Sequence, residues 1–237
     1  MNTLLQVENL DFFIGSTQIL RGISLRVNKG EVVFLLGRNG AGKSSIIKSI
    51  IGLYSLKSGK IIFKGKDITS FSPREKVLSG IAYSPEDTRI FSDLTVEENI
   101  NLSTWIRGSR EIDKIFSFEK IFDIFPAIKK LLRRNGLHLS GGEKKMASIA
   151  RALALNPSLL LLDEAFEGLA PLVVKHFIEA LSQIQKLGVT ILLGESNVRI
   201  ASQVAERAYI VERGEIIFEG HPREILQNER LLKIVGR

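Results

Sequence analysis

One short segment constrains the fold of this chain more than any other. Residues 37–44 (GRNGAGKS) follow the apolar run 31–36 (EVVFLL) and open into the segment 45–51 (SIIKSII). The spacing G-x-x-x-x-G-K-S between a strand and a helix is that of a phosphate-binding loop. Its glycines turn backbone N–H groups toward a polyphosphate, Lys43 adds a positive charge, and the helix directs its positive end at the same anion. A purely structural glycine turn is the alternative, but it needs neither the lysine nor the serine.

The loop predicts a nucleotide-binding protein, with Ser44 within reach of a Mg²⁺ ion. We expect the phosphate contacts to come from Gly37, Arg38, Asn39, Gly40, Ala41, Gly42, Lys43, Ser44 and Ser45. A flat side chain just before Gly15 could stack on a purine base. Phe12, Phe13 and Ile14 lie there, and packing of a strand into the core explains them equally well.

The composition is that of an ordinary globular protein. Of its 237 residues, 44% are apolar and 25% charged, and no apolar run approaches the ~18 residues that a membrane span requires. The N-terminus does not resemble a secretion signal and the sequence has no cysteine, so we expect a cytoplasmic protein. The net charge of +7 would suit nucleic acid or anionic lipid, but interleaved acidic residues favour a solvated surface.

Periodicity predicts an α/β fold with two kinds of sheet. Segments 4–10 and 22–27 alternate apolar and polar residues, as strands of a half-exposed antiparallel layer do, whereas 158–162 (SLLLL) is typical of a strand buried on both faces. Further strands are predicted at 31–36, 60–63, 79–83, 188–193, 207–211 and 215–218, and a closing helical segment at 223–235.

Residues 87–155 contain fewer strand-like runs than the rest of the chain and predict a helical insertion. Apolar residues recur at helical spacing from Ile115 to Leu132, and Pro126 is expected to start a helix that Asn135-Gly136 ends. Another helix should begin after Ser140 and run to Leu155, because Ser140 and Glu143 have the spacing of a capping box.

The segment that opens this last helix is Leu139-Ser140-Gly141-Gly142-Glu143. Two glycines directly after a cap lower helix propensity by ~1 kcal/mol each, which a purely structural cap would avoid. Exposed N–H groups at such an end suit a second phosphate contact. An ordinary helix start is the alternative.

Carboxylates follow two of the predicted strands. Asp163 and Glu164 end the leucine run, where two acids are unfavourable unless they meet a cation or polarise a water. Asp163 can hold Mg²⁺, and Glu164 can position or deprotonate the water that attacks a γ-phosphate. A helix cap at Asp163 would explain one acid but not both. Glu86 follows the strand 79–83, where ligands often bind, so a metal or water contact and a solvated loop glutamate are equally good explanations.

Three segments in this order, 37–44, 139–143 and 159–164, resemble the nucleotide-binding domain of ATP-binding-cassette (ABC) proteins. The similarity spans nearly the whole chain, and the five-residue signature 139–143 distinguishes that superfamily from other phosphate-loop proteins. More narrowly, the ATPase subunits of branched-chain amino acid importers, with their urea and amide relatives, are similar at Pro85-Glu86, 94–99 (LTVEEN), 139–143 and 168–171 (GLAP).

The resemblance implies a single ABC domain over residues 1–237. Its catalytic core and antiparallel β subdomain would cover about 1–86 and 156–237, and its helical subdomain about 87–155. It implies ATP and Mg²⁺ as cofactors and a second ABC ATPase subunit, identical or different, with each ATP held between the phosphate loop of one copy and the signature of the other. Closure on ATP would drive two transmembrane permease subunits at the inner face of the cell membrane, with a solute-binding protein in the full system.

The family pattern also assigns roles to single residues. Lys43 and Ser44 would hold phosphates and Mg²⁺, Asp163 would support the metal, and Glu164 would be the base. Glu86 stands where most of the superfamily has a glutamine that senses the γ-phosphate, next to the metal. Ser140 and Gly142 would complete the site of the partner, within the signature Leu139, Ser140, Gly141, Gly142 and Glu143.

The chain departs from the pattern at three positions. Ile14 stands where an aromatic residue usually stacks on adenine, with Phe13 as the possible substitute, and Ala165 replaces a proline. Ser196 stands where a histidine usually contacts the γ-phosphate. We therefore hypothesise that this chain's phosphate-loop site hydrolyses ATP slowly and that a sister ATPase supplies the faster site of a heterodimer.

Two other functions stay open. A soluble ABC ATPase acting on nucleic acid typically has two cassettes or long coiled-coil insertions, which this sequence lacks, so nucleic acid is an unlikely partner. A nearly idle nucleotide-binding subunit is the second, and Glu164 argues against it whereas Ser196 argues for it.

Overall fold

The computed structural model describes residues 2–107 and 116–236. Its strands are β1 (Thr3–Ile14), β2 (Thr17–Asn28), β3 (Val32–Leu36), β4 (Ser58–Phe63), β5 (Lys66–Asp67), β6 (Ile81–Ser84), β7 (Leu159–Asp163), β8 (Thr190–Glu195), β9 (Arg207–Glu212) and β10 (Glu215–Gly220). Its helices are α1 (Lys43–Ile51), α2 (Pro73–Ser79), α3 (Val96–Arg107), α4 (Phe118–Ile124), α5 (Pro126–Leu131), α6 (Gly141–Leu153), α7 (Pro171–Lys186), α8 (Val198–Val204), α9 (Pro222–Leu226) and α10 (Glu229–Val235), with a 3-10 turn at Gly136–His138.

The strands of the described residues form two sheets. The smaller is antiparallel, with the order β2-β1-β4-β5. The larger has the order β10-β9-β3-β8-β7-β6, in which β9, β3, β8, β7 and β6 run parallel and β10 pairs antiparallel with β9. The predicted α/β class with an antiparallel layer and helical elements is confirmed.

Apolar residues on both faces of the large sheet explain why its central strands are fully buried. Leu160 and Leu162 of β7 face a core that includes residues of α6 and α7, whereas Leu159 and Leu161 face a second core shared with α1 and the antiparallel sheet. Helix α1 therefore lies between the two sheets. This placement aims its N-terminus at the carboxyl ends of the parallel strands.

The insertion predicted at 87–155 contains α3 to α6, and Ile115 lies outside the described residues. The helix predicted from Pro126 ends at Leu131, so its expected end at Asn135-Gly136 is wrong. The reason is that segment 134–136 pairs with residues 94–96 at the start of α3: Val96 N donates to the carbonyl of Arg134, and Gly136 N donates to that of Leu94.

Other boundaries also differ from the predictions. Ser79 is the last residue of α2 rather than the first of a strand, and neither α2 nor β5 was predicted. The closing helical segment is two helices, α9 and α10. The break falls at Asn228 because its side chain accepts hydrogen bonds from the N–H groups of Arg230 and Leu231 and so caps a new helix.

Candidate functional site

The phosphate loop connects β3 to α1, as its sequence predicts. Two of its glycines are required by the structure. A Cβ at Gly37 would lie 2.3 Å from the carbonyl oxygen of Val211, and Gly42 has φ of +117°, a conformation that residues with side chains rarely adopt. No side chain caps α1 at Gly42, so the N–H groups of its first turn face the loop.

Lys43 is buried at the start of α1 and already has partners. Its Nζ donates to the carbonyls of Gly37 at 2.8 Å and Arg38 at 3.2 Å, and lies 2.9 Å from Oε1 of Glu164. The side chains of Lys43 and Glu164 are only 3% and 8% exposed, so this ion pair is shielded from water. The structure thus joins the lysine of the loop to the acid that follows β7.

Of the three residues predicted to serve Mg²⁺, Ser44 and Asp163 are in direct contact, and Glu86 lies at the wall of the cavity described below. The Oγ of Ser44 donates to Oδ1 of Asp163 at 2.8 Å, and the hydroxyl of Tyr83 lies 3.4 Å from Oδ2. Burial raises the pKa of Asp163, whereas the hydrogen bonds from Ser44 and Tyr83 act in the opposite direction. Among residues 2–107 and 116–236, no group of three His, Cys, Asp or Glu side chains is placed to hold a metal.

Glu164 is fixed by both its main chain and its side chain. Its backbone is left-handed, with φ of 46°; its N–H donates to the carbonyl of Gly194 at 2.9 Å, and its own carbonyl accepts from Nζ of Lys145. Burial raises its pKa to about 7; the Lys43 hydrogen bond opposes this, and the charges of Glu195 and Glu167 add to it. A carboxylate with a pKa near neutrality is suited to exchange a proton with water.

A cavity of about 380 Å³ adjoins these residues. This phosphate-loop cavity is lined by Ile14, Ile19, Asn39, Gly40, Gly42, Lys43, Ser44, Ser45, Glu86, Glu164 and Glu167. Glu86 and Glu167 lie exposed at its wall. Partial desolvation at this wall is the first cause that raises the pKa of Glu86, followed by the charges of Glu167, Asp163 and Glu164. The cavity is therefore lined both by carboxylates and by the aliphatic side chains of Ile14 and Ile19.

The three residues before Gly15 have different surroundings. Phe12 is buried and stacks on Tyr54, with ring centroids 4.5 Å apart and planes at 6°. Ile14 lines the cavity and is 58% exposed, whereas Phe13 is 38% exposed and lies outside the cavity wall that the described residues form.

The signature 139–143 has the predicted capping box. Ser140 Oγ accepts from the N–H of Glu143 at 3.3 Å, and Glu143 Oε2 accepts from the N–H of Ser140 at 2.7 Å. Leu139 is buried and anchors the segment, while Ser140 and Gly141 are exposed. Among the described residues, none of the five signature residues lines the phosphate-loop cavity of its own chain.

Ser196 follows β8 and lies beside the cavity rather than in it. It lines a neighbouring depression together with Arg38 and Asn39. Its N–H and its hydroxyl are 2.9 and 3.4 Å from Oε1 of Glu195. Glu195 itself is 3% exposed, and within the described ranges its Oε2 has no hydrogen-bond partner.

Sequence reasoning did not assign a role to Tyr83, Lys145, Glu167 or Glu195. The only local signal was position: Tyr83, Glu167 and Glu195 each lie at or shortly after the end of a strand of the large sheet. Lys145 had no such signal, because its contact with Glu164 joins α6 to the end of β7.

Residues 20–167 match the ABC transporter family. This stretch is more than half of the chain and includes the phosphate loop, the signature and both acids at the end of β7. The chain belongs to the ABC transporter family and is an ATPase of that family.

Two relatives are similar to it over almost their whole length. The high-affinity branched-chain amino acid transport ATP-binding protein BraG of Pseudomonas aeruginosa is 35% identical, over 96% of this chain and 97% of the relative. The lipopolysaccharide export system ATP-binding protein LptB of Haemophilus influenzae is 36% identical, over 98% and 96%. Their names give different cargoes, so similarity defines a transporter ATPase without defining what is moved.

A solved structure gives the same result for the fold. An ATP-binding cassette of an ABC transporter in its ADP conformation superposes with a TM-score of 0.84 at 28% identity, covering 100% of both chains. Within residues 2–107 and 116–236, no helix is long and apolar enough to cross a membrane.

Proposed function

We propose that the phosphate-loop cavity binds ATP with Mg²⁺ and that Glu164 positions the attacking water. The observation that carries this proposal is the pairing of Lys43 with Glu164 and of Ser44 with Asp163 around one cavity. Phosphates in the loop would draw Lys43 away from Glu164, because a polyphosphate offers the lysine more negative charge. The freed carboxylate would then accept a hydrogen bond from water, with a pKa near neutrality that suits a general base.

Ser44 and Asp163 are the residues we assign to Mg²⁺. A hydroxyl and a carboxylate oxygen 2.8 Å apart match the hard oxygen ligands that Mg²⁺ prefers, and phosphate oxygens and water would complete its coordination. Glu86 lies at the wall of the same cavity, where it would sense the γ-phosphate side of the site. The metal would neutralise charge that develops on the phosphates.

The signature points to a second ATPase subunit. Exposed Ser140 and Gly141 lie at the N-terminus of the 13-residue α6, and helix N-termini bind anions. We infer that they contact ATP bound to the partner subunit, so that two chains close around the nucleotide. A homodimer and a heterodimer with a sister ATPase both satisfy this geometry.

A groove lined in part by Arg89, from the loop that follows Glu86, would receive the permease. Its volume is about 590 Å³, and its walls include Phe91 and Trp105, which are 55% and 79% exposed. Arg151 of α6 forms part of the groove and donates to the carbonyls of Thr88 and Arg89 at 2.8 and 2.7 Å. An exposed aromatic surface beside the catalytic loop suits an apolar segment of a membrane subunit at the inner face of the membrane.

For the cargo, we propose import of branched-chain amino acids or related small polar solutes, delivered by a solute-binding protein. Support comes from the similarity to BraG and from the segments 85–86, 94–99 and 168–171. Lipopolysaccharide export is the second candidate, because LptB is equally similar. Coexpression with a permease pair of each class separates the two candidates. The correct pair should copurify with this chain, and only the cargo of that pair, with its binding protein where there is one, should stimulate ATP hydrolysis by the complex.

The first experiment is Mg²⁺-dependent ATP hydrolysis by the purified chain over a range of protein concentrations, with Glu164→Gln as the blank. A rate that rises faster than linearly with protein would support a composite site formed by two copies. ATP binding without hydrolysis above the blank would favour an obligate sister subunit or activating partner. Failure to bind ATP would refute the proposed site.

A further inference from the structure

Lys145 is the second residue after the signature, yet its side chain turns inward. It is half-buried in the first two turns of α6, and its Nζ donates a hydrogen bond to the main-chain carbonyl of Glu164. A lysine that forms only a solvated helix surface would keep its ammonium group in water. This contact links the helix that begins at the signature to the acid at the end of β7 in the same chain.

The surroundings of Lys145 are rich in carboxylates. Burial lowers the pKa of Lys145, and the charges of Glu167, Glu195, Glu86 and Glu164 raise it, so all four acids lie within electrostatic reach. Glu195 adds a buried oxygen that no group in the described part of the chain pairs. Such a cluster repels itself unless a cation stays within it.

In this structure Lys43 provides part of the positive charge among these carboxylates, through its ion pair with Glu164. The same Nζ donates to two carbonyls of the phosphate loop, so it lies where phosphates would compete for it. When a polyphosphate takes Lys43, the carboxylate of Glu164 loses its direct partner. Lys145 does not line the phosphate-loop cavity that the described residues form, and it would keep its contact.

We propose that Lys145 is a positioning residue that holds Glu164 in place after Lys43 has turned to the nucleotide. Lys145 fixes the carbonyl of Glu164 and offsets the charge of the surrounding acids, while the carboxylate of Glu164 stays free to meet water. This inference rests on the role proposed for Glu164. It gives α6 a second task beside the signature, directed at its own chain rather than at the partner.

The test compares Lys145→Gln, which removes the charge, with Lys145→Arg, which keeps it. Lys130→Gln is the matched control, because Lys130 is an exposed lysine of the same helical region, on α5. We would measure kcat and KM for ATP, the Kd of a fluorescent ATP analogue, the melting temperature, and amide exchange over residues 159–169 in the presence of ADP. Exchange reports on the Glu164 segment without requiring turnover.

We expect Lys145→Gln to lower kcat by roughly tenfold to a hundredfold, since small displacements of a catalytic group have effects of that size. Its Kd should stay within about threefold of the parent, a range that corresponds to less than one kcal/mol, and exchange over 159–169 should become faster. Lys145→Arg should recover most of kcat, and Lys130→Gln should match the parent.

Three results would overturn the inference. They are an unchanged kcat with unchanged exchange in Lys145→Gln, a loss of nucleotide binding or folding that accounts for the lower rate, and a Lys145→Arg variant as impaired as Lys145→Gln. If the parent alone hydrolyses ATP no faster than Glu164→Gln, the rates are compared again with the sister subunit or permease partner present, and equal rates there refute the proposed role of Glu164 instead. Exchange over 159–169 then decides the Lys145 contact separately.

Discussion

Charged side chains gather at both ends of the large sheet, and the two clusters are built differently. At the amino-terminal end, Arg207 donates to both carboxylate oxygens of Glu31, at 2.9 and 2.6 Å, and to Glu219 at 2.8 Å. Burial alone would lower the pKa of Arg207, but the hydrogen bonds with Glu31 and Glu219 raise it overall. In this cluster each charged group has a partner of opposite sign.

At the carboxyl end, the described residues of the cluster form one ion pair, between Lys43 and Glu164, and its other acids have none. The lysines Lys43, Lys48 and Lys145 lie near five carboxylates, those of Glu86, Asp163, Glu164, Glu167 and Glu195. Burial raises the pKa of Asp163 and Glu164, and Glu195 retains an unpaired oxygen within the described residues. At one end of the sheet each carboxylate of the cluster contacts an arginine directly, whereas at the other end Asp163 and Glu195 are buried without an ion pair among the described residues. We expect the second arrangement to favour a ligand that brings a cation.

The largest expected effect is a loss of ATP hydrolysis on substitution at the carboxyl end of the large sheet. Glu164→Gln should lower the rate of ATP hydrolysis by about 10²–10⁴, the range that a general base contributes, without abolishing ATP binding. Phosphate release under saturating ATP measures the rate, and a fluorescent nucleotide measures binding. A residual rate within tenfold of the parent would contradict the assignment.

A substitution at the amino-terminal end of the large sheet should lower the stability of the protein rather than its rate of ATP hydrolysis. Arg207→Met leaves Glu31 without its bidentate partner in a half-buried position, so the free energy of unfolding should fall by about 2 kcal/mol, less than for a fully buried pair. Urea unfolding measures the change, with the exposed Arg230→Met as control. A loss of kcat per folded molecule comparable to that of Glu164→Gln would show that the amino-terminal cluster also contributes to ATP hydrolysis, against this comparison.

The pH dependence of stability gives a smaller and more specific test. Glu164 has a pKa of about 7 in the folded chain against 4.5 without the fold, so between these values the folded state binds more protons than the unfolded state. Stability should therefore fall as pH rises from 5 to 7, by on the order of 1–3 kcal/mol, and Glu164→Gln should flatten that fall. Parallel slopes in the two proteins would show that Glu164 is not the group responsible.

The smallest expected effect comes from adding a group to the acidic end. If the missing histidine slows this site, Ser196→His should raise turnover by roughly fivefold, because an added donor near the γ-phosphate stabilises developing charge. The measurement is steady-state hydrolysis, with the chain alone and with a candidate sister subunit. No change in either the homodimer or the heterodimer would count against the slow-site hypothesis.

Local patterns in the sequence were sufficient for the parts of the fold whose structure is decided locally. The phosphate loop, the leucine strand β7 and the capping box at Ser140 were all predicted, because spacing alone distinguishes them. The end of α5 was missed because segment 134–136 satisfies its backbone through a pairing with residues 94–96, far away in the sequence.

The candidate site, too, could be predicted from local patterns only in part. Lys43, Ser44, Asp163 and Glu164 could be chosen from motifs, but their partners depend on the strand order β3-β8-β7-β6, which sets residues from four segments side by side. Tyr83 reaches Asp163 across 80 positions of sequence. The periodicity of apolar residues cannot indicate a contact between residues so far apart in the sequence.

Helix α6 has a mechanical consequence. Its first turn carries the signature, and Lys145 donates a hydrogen bond to Glu164. Arg151 donates to the carbonyls of Thr88 and Arg89, two and three residues beyond Glu86. The helix thus connects the signature with two loops at the carboxyl end of the large sheet. We expect any displacement of α6, whether it starts at the groove beside Arg151 or at the signature, to move the main chain of Glu164 and the loop after Glu86 together.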